Sequence, residues 1–314
     1  MYNKQLAFVF PGQGSQSIGM STALAEHYPV VKALYADASE VLGYDLWHLA
    51  HSGPESELNI TSKTQPALLT ACVAVWKVWE ERGGHLPVLM AGHSLGEYSA
   101  LVCSGVLAFN TAVALVADRG TYMQEAVPAG EGSMAAILGL TEEQVIDVCN
   151  QAAQGQVVSP ANFNSTGQIV IAGHKEAVNR AVELATGTGA KRTVVLSVSV
   201  PSHCALMQEA AAKFTSRMES IALSAGRIPV IHNADVSTRS DESAIKQVLA
   251  KQLYQPVRWV ETIELMSKKG ITRIVECGPG KVLCGLIKRI NRDIGTYPVF
   301  DPESLDKALP VINS

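Results

Sequence analysis

Residues 87–104 constrain the fold more than any other part of the chain, because they join a short apolar run, a glycine-flanked serine and a helix-like stretch. The apolar run PVLMAG has the length and composition of a buried strand. Leu6–Phe10 is a similar run, and the helical pattern of Thr64–Arg82 stops at Gly83-Gly84, shortly before PVLMAG. Strands that alternate with helices in this way predict an α/β fold with a mostly parallel sheet.

The middle of the chain has a different rhythm. Its apolar runs and helical segments follow one another in the order βαββαβ, which is typical of a ferredoxin-like unit. Thr141 and Gln144 have the spacing of a capping box at the first of its helices. We therefore predict a discontinuous larger domain of residues 1–127 and 199–314, an inserted subdomain of residues 128–198, and a cleft where the two meet.

Composition and charge argue against several classes of protein. With 47% hydrophobic and 17% charged residues, the chain is expected to be an ordinary globular protein. The formal net charge of −4 argues against nucleic-acid binding, and no apolar run reaches the roughly 18 residues of a membrane span. The opening MYNKQLAFVFPGQG has no signal-peptide pattern, so a cytoplasmic location is expected. The six cysteines form no C-x-x-C pair, which predicts buried thiols and no metal site.

The pentapeptide Gly92-His93-Ser94-Leu95-Gly96 fits the pattern G-x-S-x-G between a strand and a helix. In that pattern a sharp turn exposes the serine hydroxyl, and small residues on both sides relieve crowding. A serine that caps an ordinary strand–helix turn is the alternative. The flanking strand and helix favour Ser94 as a nucleophile, with the Leu95 N–H directed toward negative charge on an attacked carbonyl.

A second glycine-rich loop, PGQGSQ at Pro11–Gln16, follows the first predicted strand. Ligands gather at the carboxyl ends of strands in open α/β sheets, so Gln13 is a candidate for a second donor to the same oxyanion. Ser17 breaks the dinucleotide pattern G-x-G-x-x-G, which argues against a dinucleotide. Gly278–Lys281 (GPGK) lacks the flanking residues of a phosphate-binding loop and is interpreted as a helix entry turn.

A serine nucleophile needs a base, and His203 is the candidate because it follows a predicted strand at the start of a helical pattern. A surface or capping histidine is the alternative. Arg119 lies in an apolar stretch of the helix after the Ser94 helix. It either extends to solvent or an ion pair, or it points into the cleft, where its planar fork could bind a substrate carboxylate. The second arrangement would select a dicarboxylic acyl group.

Eight motifs, in one order, resemble a single family. They are FPGQGSQ, TQPAL, GHSLGEYSALV, ADRG, ANFNS, SVPSHCALM, LYQPVRW and ECGPGKVLCGLIKRI. Over essentially its whole length the chain resembles the malonyl-CoA:acyl carrier protein transacylases of bacterial dissociated fatty acid synthesis. The resemblance implies an α/β-hydrolase-like catalytic core with a parallel sheet, into which a ferredoxin-like subdomain is inserted.

The resemblance also implies a role for each matching residue. Ser94 would be the nucleophile and His203 the general base. Gln252 lies directly before the motif LYQPVRW and would orient His203 through its backbone carbonyl, where hydrolases use a buried carboxylate. Gln13 and the Leu95 N–H would form the oxyanion hole.

The implied reaction is a ping-pong transfer without a metal or redox cofactor. A malonyl group would pass from malonyl-CoA to Ser94, and then to the phosphopantetheine thiol of holo acyl carrier protein. Arg119 would bind the malonyl carboxylate, and Asn162 of ANFNS would be a further substrate-binding residue. The tetrapeptide Val200–His203 resembles the fatty-acid type of the family, which favours malonyl over branched units.

The carrier protein is acidic in the family that the chain resembles. Local basic clusters could guide it despite the net negative charge of this chain, although a solvated helix face is an equal alternative. We expect a monomeric enzyme. The clusters contain Lys191, Arg192, Lys281, Lys288 and Arg289, of which all but Lys281 are predicted carrier-protein contacts.

Two other functions remain open from the sequence. A serine hydrolase would use the same turn with water as acceptor, and its acidic third member could be Asp118, Asp147 or Glu176. A carrier-protein scaffold without catalytic activity is the other alternative, although the presence of Ser94, His203 and Arg119 argues against it.

Overall fold

The structure is a computed structural model that describes residues 1–198 and 200–314. It has a mixed α/β architecture with one parallel and one antiparallel sheet. Its strands are β1 (Tyr2–Phe10), β2 (Leu86–Gly92), β3 (Gly132–Leu138), β4 (Val158–Ser165), β5 (Gln168–His174), β6 (Arg192–Val195), β7 (Val230–Ile231), β8 (Arg273–Cys277) and β9 (Gly295–Val299).

The helices surround both sheets. A short 3-10 turn at Ala205–Met207 precedes the tenth of them. They are α1 (Thr22–His27), α2 (Pro29–Leu42), α3 (Leu46–Ser52), α4 (Glu55–Leu58), α5 (Thr61–Glu81), α6 (Gly96–Ser104), α7 (Phe109–Glu125), α8 (Glu142–Ala153), α9 (Lys175–Gly187), α10 (Gln208–Glu219), α11 (Glu242–Gln252), α12 (Trp259–Lys268), α13 (Val282–Ile290) and α14 (Pro302–Asn313).

The parallel sheet has the order β7-β2-β1-β8-β9, with β1 at its centre. Phe8 of β1 packs against Trp76 and Trp79 of α5, with ring centroids 5.2 Å apart in both pairs. On the opposite face of the strand, Val9 belongs to a second core cluster with Trp259 of α12. Both faces are therefore covered by helices, which is why the first strand reads as an unbroken apolar run. The predicted parallel sheet is confirmed.

The antiparallel sheet has the order β4-β5-β3-β6 and is built from the middle of the chain. Its elements follow the predicted order βαββαβ. The capping box at α8 is present, because Thr141 Oγ1 accepts from the Gln144 N–H and the Gln144 side chain accepts from the Thr141 N–H. One face of the sheet buries a core with α8 and α9.

The other face of this sheet packs on the rest of the chain. Met134 and Ala172 form a small buried cluster with Cys204, which lies after the sheet. Phe163 N–H donates to the Val257 carbonyl at 2.9 Å, and this backbone pairing joins β4 to the segment before α12. The cleft predicted between the two parts is the cavity described below. The predicted boundaries at residues 127–128 stay a prediction, and residue 199 lies outside the described residues.

Two edge strands differ from the sequence prediction. The apolar pattern of Pro229–Asn233 predicts a strand of five residues, but β7 is only Val230–Ile231, because the residues that follow contact Glu97 on the Ser94 helix. β9 was not predicted, since its sequence GTYPV contains Gly295 and Pro298, both unfavourable within a strand. Proline is tolerated there because β9 is an edge strand. Among the described residues, no helix is both long and apolar enough to cross a membrane.

Candidate active site

The turn that carries Ser94 is short and tightly packed between β2 and α6. Ser94 has a φ of 52°, in the left-handed region that residues with side chains rarely adopt. A Cβ atom at Gly92 would lie 1.8 Å from the Gly96 carbonyl carbon, and one at Gly96 would lie 2.1 Å from the Phe10 carbonyl oxygen. Because only glycine fits at both positions, the G-x-S-x-G spacing lets the strained turn form and presents the Ser94 hydroxyl.

The Ser94 hydroxyl contacts one imidazole. Ser94 Oγ lies 2.7 Å from His203 Nε2, and His203 Nδ1 lies 2.7 Å from the Gln252 carbonyl oxygen. A carbonyl can only accept, so Nδ1 carries the proton and Nε2 is left as the acceptor for the serine proton. His203 also has a positive φ, of 62°, so both residues of the pair are held in strained backbone conformations.

The His203 ring is buried, with 2% of the residue exposed. Burial, and then the positive charge of Arg119, lower the pKa of His203 to about 3. The imidazole is therefore neutral at pH 7 and able to accept a proton. The Gln252 carbonyl opposes this shift by bonding the charged form, but it lacks the full negative charge of a carboxylate.

Ser94 and His203 open into a cavity of about 420 Å³ between the two parts of the fold. Predicted site residues from distant parts of the chain line this cavity together. Besides the pair, they are Gln13, Leu95, Arg119 and Asn162. Gln252 lies behind the wall and is completely buried.

Arg119 is held rigidly at the cavity wall, with 1% of the residue exposed. Its Nη1 donates to Gln65 Oε1 at 2.8 Å and its Nη2 to Gln252 Oε1 at 3.0 Å, while the guanidinium carbon lies 5.3 Å from the centre of the Tyr98 ring. Arg119 Nε is buried and has no acceptor among the described residues. The fork therefore keeps N–H groups for a ligand.

The residues of the two predicted oxyanion donors, Gln13 and Leu95, line the same cavity as Ser94. Leu95 precedes α6, so its N–H is one of those that have no acceptor within the helix. The Gln13 side chain donates to Thr61 Oγ1 at 3.2 Å, which leaves its backbone N–H as the group for an oxyanion. Asn162 also lines the cavity, and its amide Oδ1 is buried without a partner among the described residues.

The three acids considered for a hydrolase triad do not reach His203. Asp118 Oδ2 accepts from Arg217 Nε at 2.7 Å, and Asp147 and Glu176 are exposed on helices of the inserted part. The Gln252 carbonyl occupies the position at Nδ1 that a triad acid would take. The arrangement is a serine–histidine pair with a neutral orienting group.

A buried carboxylate behind the turn was missed by the sequence analysis. Glu97 is completely buried; it accepts from His232 Nδ1 at 2.7 Å, from the Asn233 N–H at 3.0 Å and from Gln252 Nε2 at 2.7 Å. Asn233 Oδ1 in turn accepts the Ser94 N–H at 2.7 Å. The sequence signal that could have indicated this carboxylate is an acidic residue in the first turn of the otherwise apolar helix α6.

The predicted carrier-protein contacts form an exposed basic surface beside the antiparallel sheet. Arg289 Nη1 donates to Gln168 Oε1 at 2.5 Å. Gln168 of β5 and Arg192 of β6 both pair with Leu138 of β3, so they lie on either side of it in the sheet. Residues of both parts of the fold therefore contribute to one surface. Its exposed cations are Lys191, Arg192, Lys288 and Arg289.

A serine hydroxyl at a strand–helix turn, paired with a neutral imidazole and faced by a buried guanidinium, defines an α/β enzyme of the acyl-transferring class. The acyl transferase domain family matches residues 7–295. The malonyl CoA-acyl carrier protein transacylase of Salmonella typhimurium is 54% identical over 97% of this chain and 99% of its own. The chain belongs to the malonyl CoA-acyl carrier protein transacylase family, as its motifs predict.

More distant relatives and solved structures agree. The Bacillus subtilis transacylase of the same name is 45% identical over 98% of this chain and 97% of its own. The solved transacylase of Coxiella burnetii has a TM-score of 0.97 at 51% identity, covering 99% of this chain and 98% of that chain. A type II PKS acyl-carrier protein in complex with its malonyl-transacylase matches with a TM-score of 0.97 at 54% identity, covering 98% of this chain and 99% of that chain.

Proposed function

We propose that this protein transfers the malonyl group of malonyl-CoA to the phosphopantetheine thiol of acyl carrier protein, supplying extender units for fatty acid synthesis. The observation that carries the proposal is that Ser94, His203 and Arg119 face one cavity. The pair supplies a nucleophile and its base, and the guanidinium supplies a partner for the free carboxylate of a malonyl group. The names of the relatives support the same substrates.

The first half-reaction loads the serine. Ser94 Oγ attacks the thioester carbon of malonyl-CoA while its proton moves to His203 Nε2. The Leu95 and Gln13 N–H groups stabilise the oxyanion that forms. The carbon–sulfur bond then breaks, and coenzyme A leaves with the proton from His203.

The second half-reaction unloads the serine onto the carrier. The phosphopantetheine thiol gives its proton to His203, and its sulfur attacks the malonyl-serine ester carbon. The bond to Ser94 Oγ breaks, and the oxygen takes the proton back from His203. Asn162, which lines the cavity, helps to hold the acyl group by donating from its side-chain amide nitrogen. No metal or redox cofactor takes part.

We also propose a fold family for each part of the chain and a cellular location for the protein. We assign the parallel sheet and its helices to an α/β-hydrolase-like catalytic domain, and the βαββαβ unit to a ferredoxin-like subdomain. The enzyme is proposed to act as a monomer in the cytoplasm. The basic surface that contains Arg192 and Arg289 is the proposed docking site, because it would attract an acidic carrier.

Mass spectrometry of the intact protein with malonyl-CoA tests the proposed function. The expected result is a stable gain of one malonyl group, which disappears when holo acyl carrier protein is added and reappears on the carrier. Steady release of free malonate without transfer would instead identify a hydrolase. No mass gain at all would identify a scaffold without catalytic activity.

Replacement of Arg119 by alanine should remove the preference for malonyl while some acetyl-enzyme still forms. Hydrogen bonds to a charged group are each worth roughly 1.5 to 3 kcal/mol, so the ratio of malonyl to acetyl loading should fall about 10- to 100-fold. Competition between malonyl-CoA and acetyl-CoA, followed by mass spectrometry of the Ser94 peptide, measures this ratio. An unchanged ratio would refute the assignment of Arg119.

The acid limb of kcat/KM should lie well below pH 6.5, where an ordinary histidine titrates. The base works only when neutral, and the pKa of His203 is lowered to about 3, so acidification from pH 8 to 6 should not slow loading. Arg119→Ala removes one cause of the lowered pKa, so its acid limb should move to higher pH. Loading rates with acetyl-CoA, measured where thermal unfolding shows an intact fold, test both points; a wild-type limb near pH 6.5 would contradict them.

A further inference from the structure

A chain of buried hydrogen bonds runs from the cavity wall into the core. Arg119 Nη2 donates to Gln252 Oε1 at 3.0 Å, and Gln252 Nε2 donates to Glu97 Oε2 at 2.7 Å. The other Glu97 oxygen accepts from His232 Nδ1 at 2.7 Å. All four side chains are at most 1% exposed. Glu97 itself does not line the cavity that Arg119 faces.

The chemistry of the two neighbours allows only one orientation of the Gln252 amide. A guanidinium has donors and no acceptor, whereas an ionised carboxylate has acceptors and no donor. The amide oxygen must therefore face Arg119, and the amide nitrogen must face Glu97. The Gln252 N–H groups also satisfy the Ser94 carbonyl oxygen at 3.0 Å, in agreement with this orientation.

We propose that Glu97 is a positioning residue for acyl selection, because its carboxylate fixes the Gln252 amide with the oxygen toward Arg119 and so aims the guanidinium into the cavity. The inference rests on the proposed function and extends it to a residue that contacts neither substrate nor Ser94 Oγ. Without the Glu97 acceptor, only the longer bond to the Ser94 carbonyl oxygen, at 3.0 Å, holds the amide nitrogen, and the amide can more readily rotate to place that nitrogen against Arg119. Two donors would then face each other, and Arg119 would lose one of its two side-chain acceptors.

The same geometry separates acyl selection from the reacting pair. His203 Nδ1 contacts the backbone carbonyl of Gln252, which an amide rotation does not move. A change at Glu97 should therefore reduce malonyl loading much more than acetyl loading. A general loosening of the fold would reduce both alike.

Glu97→Met tests the inference, since methionine keeps the length of the side chain but removes both oxygens that accept hydrogen bonds. The malonyl-to-acetyl loading ratio should fall about tenfold, the effect of one hydrogen bond to a charged group. In an Arg119→Ala background the same change should leave the ratio where Arg119→Ala alone puts it, because the pathway runs through Arg119.

Glu276→Met is the matched control. Glu276 is also completely buried, and its carboxylate accepts the N–H groups of Leu283 and Cys284 at the start of α13. Removing these acceptors should lower the thermal midpoint without changing the loading ratio. If Glu97→Met does not fold, Gln252→Met decides, since it keeps the backbone carbonyl for His203 and removes the amide; its ratio should also fall.

These experiments distinguish a failure of this inference from a failure of the proposed function. A folded Glu97→Met protein with the wild-type ratio, or a further drop in ratio on adding Glu97→Met to Arg119→Ala, would overturn the inference while leaving the proposed function intact. A wild-type ratio in Gln252→Met would do the same. Absence of a malonyl-enzyme in the unsubstituted protein would overturn the proposed function and this inference with it.

Discussion

Ser94→Ala protein should gain no malonyl mass and should transfer malonyl at least about a thousandfold more slowly than the unsubstituted protein. Alanine keeps the turn but removes the oxygen that lies 2.7 Å from His203 Nε2. Loss of a serine nucleophile from a comparable pair removes nearly all catalysis by that pair. Intact-mass measurements after incubation with malonyl-CoA, and transfer assays with holo carrier protein, check the two parts.

Ser99→Ala is the control for this substitution. Ser99 lies on the same helix, is 1% exposed, and its hydroxyl has no partner among the described residues. Its removal should leave loading in place. A malonyl adduct on Ser94→Ala protein would show that another residue carries the acyl group and would disprove the proposed intermediate.

His203→Ala should slow loading by roughly a thousandfold, within the 10²- to 10⁴-fold range of general base catalysis. Without the imidazole, the Ser94 hydroxyl has no acceptor for its proton when it attacks the thioester. Rapid-quench measurement of malonyl-enzyme formation in a single turnover gives the rate of this step directly, free of product release.

The exposed His48 provides the control, because His48→Ala should load malonyl at the unsubstituted rate. A second reading separates base catalysis from packing: the loading rate of His203→Ala should increase steadily with pH, as hydroxide replaces the missing base. Loading by His203→Ala within tenfold of the unsubstituted protein would exclude His203 as the base.

Under the proposed function, we expect transfer to a thiol in preference to water because His203 is a weak base. Burial and Arg119 lower the pKa of His203 to about 3, and its orienting group is neutral. A thiol with a pKa near 8.5 gives up its proton far more readily than water, whose pKa is 15.7. We therefore expect the acyl-serine to persist until the carrier thiol enters the cavity.

Local features were predictable from the sequence because their causes are local. The strand–turn–helix around Ser94 is determined by Gly92 and Gly96, which leave no room for a Cβ, and the capping box at α8 by the spacing of Thr141 and Gln144. The βαββαβ order likewise follows from the alternation of apolar periods along a continuous segment. Each of these signals lies within a few residues of the structure that it specifies.

The buried hydrogen-bond network around Gln252 could not be predicted from local sequence patterns. Gln252 and Ser94 are 158 positions apart, and their contact depends on how α11 packs behind the parallel sheet. The G-x-S-x-G pattern pointed to Ser94 from its local context, whereas only the family resemblance pointed to Gln252. Glu97 attracted none, because an acid in the first turn of a helix is ordinary, and only the tertiary structure shows that this one is completely buried.

Gln252 contacts the site residues through both its backbone and its side chain. Its carbonyl, which orients His203, is supplied by the main chain and would be present with any amino acid at this position. Its amide, which contacts Arg119, belongs to the side chain alone. Under the proposed function, we therefore expect acyl selection and turnover to vary independently at this position, and a library of substitutions at residue 252 would be a route to enzymes that load other extender units.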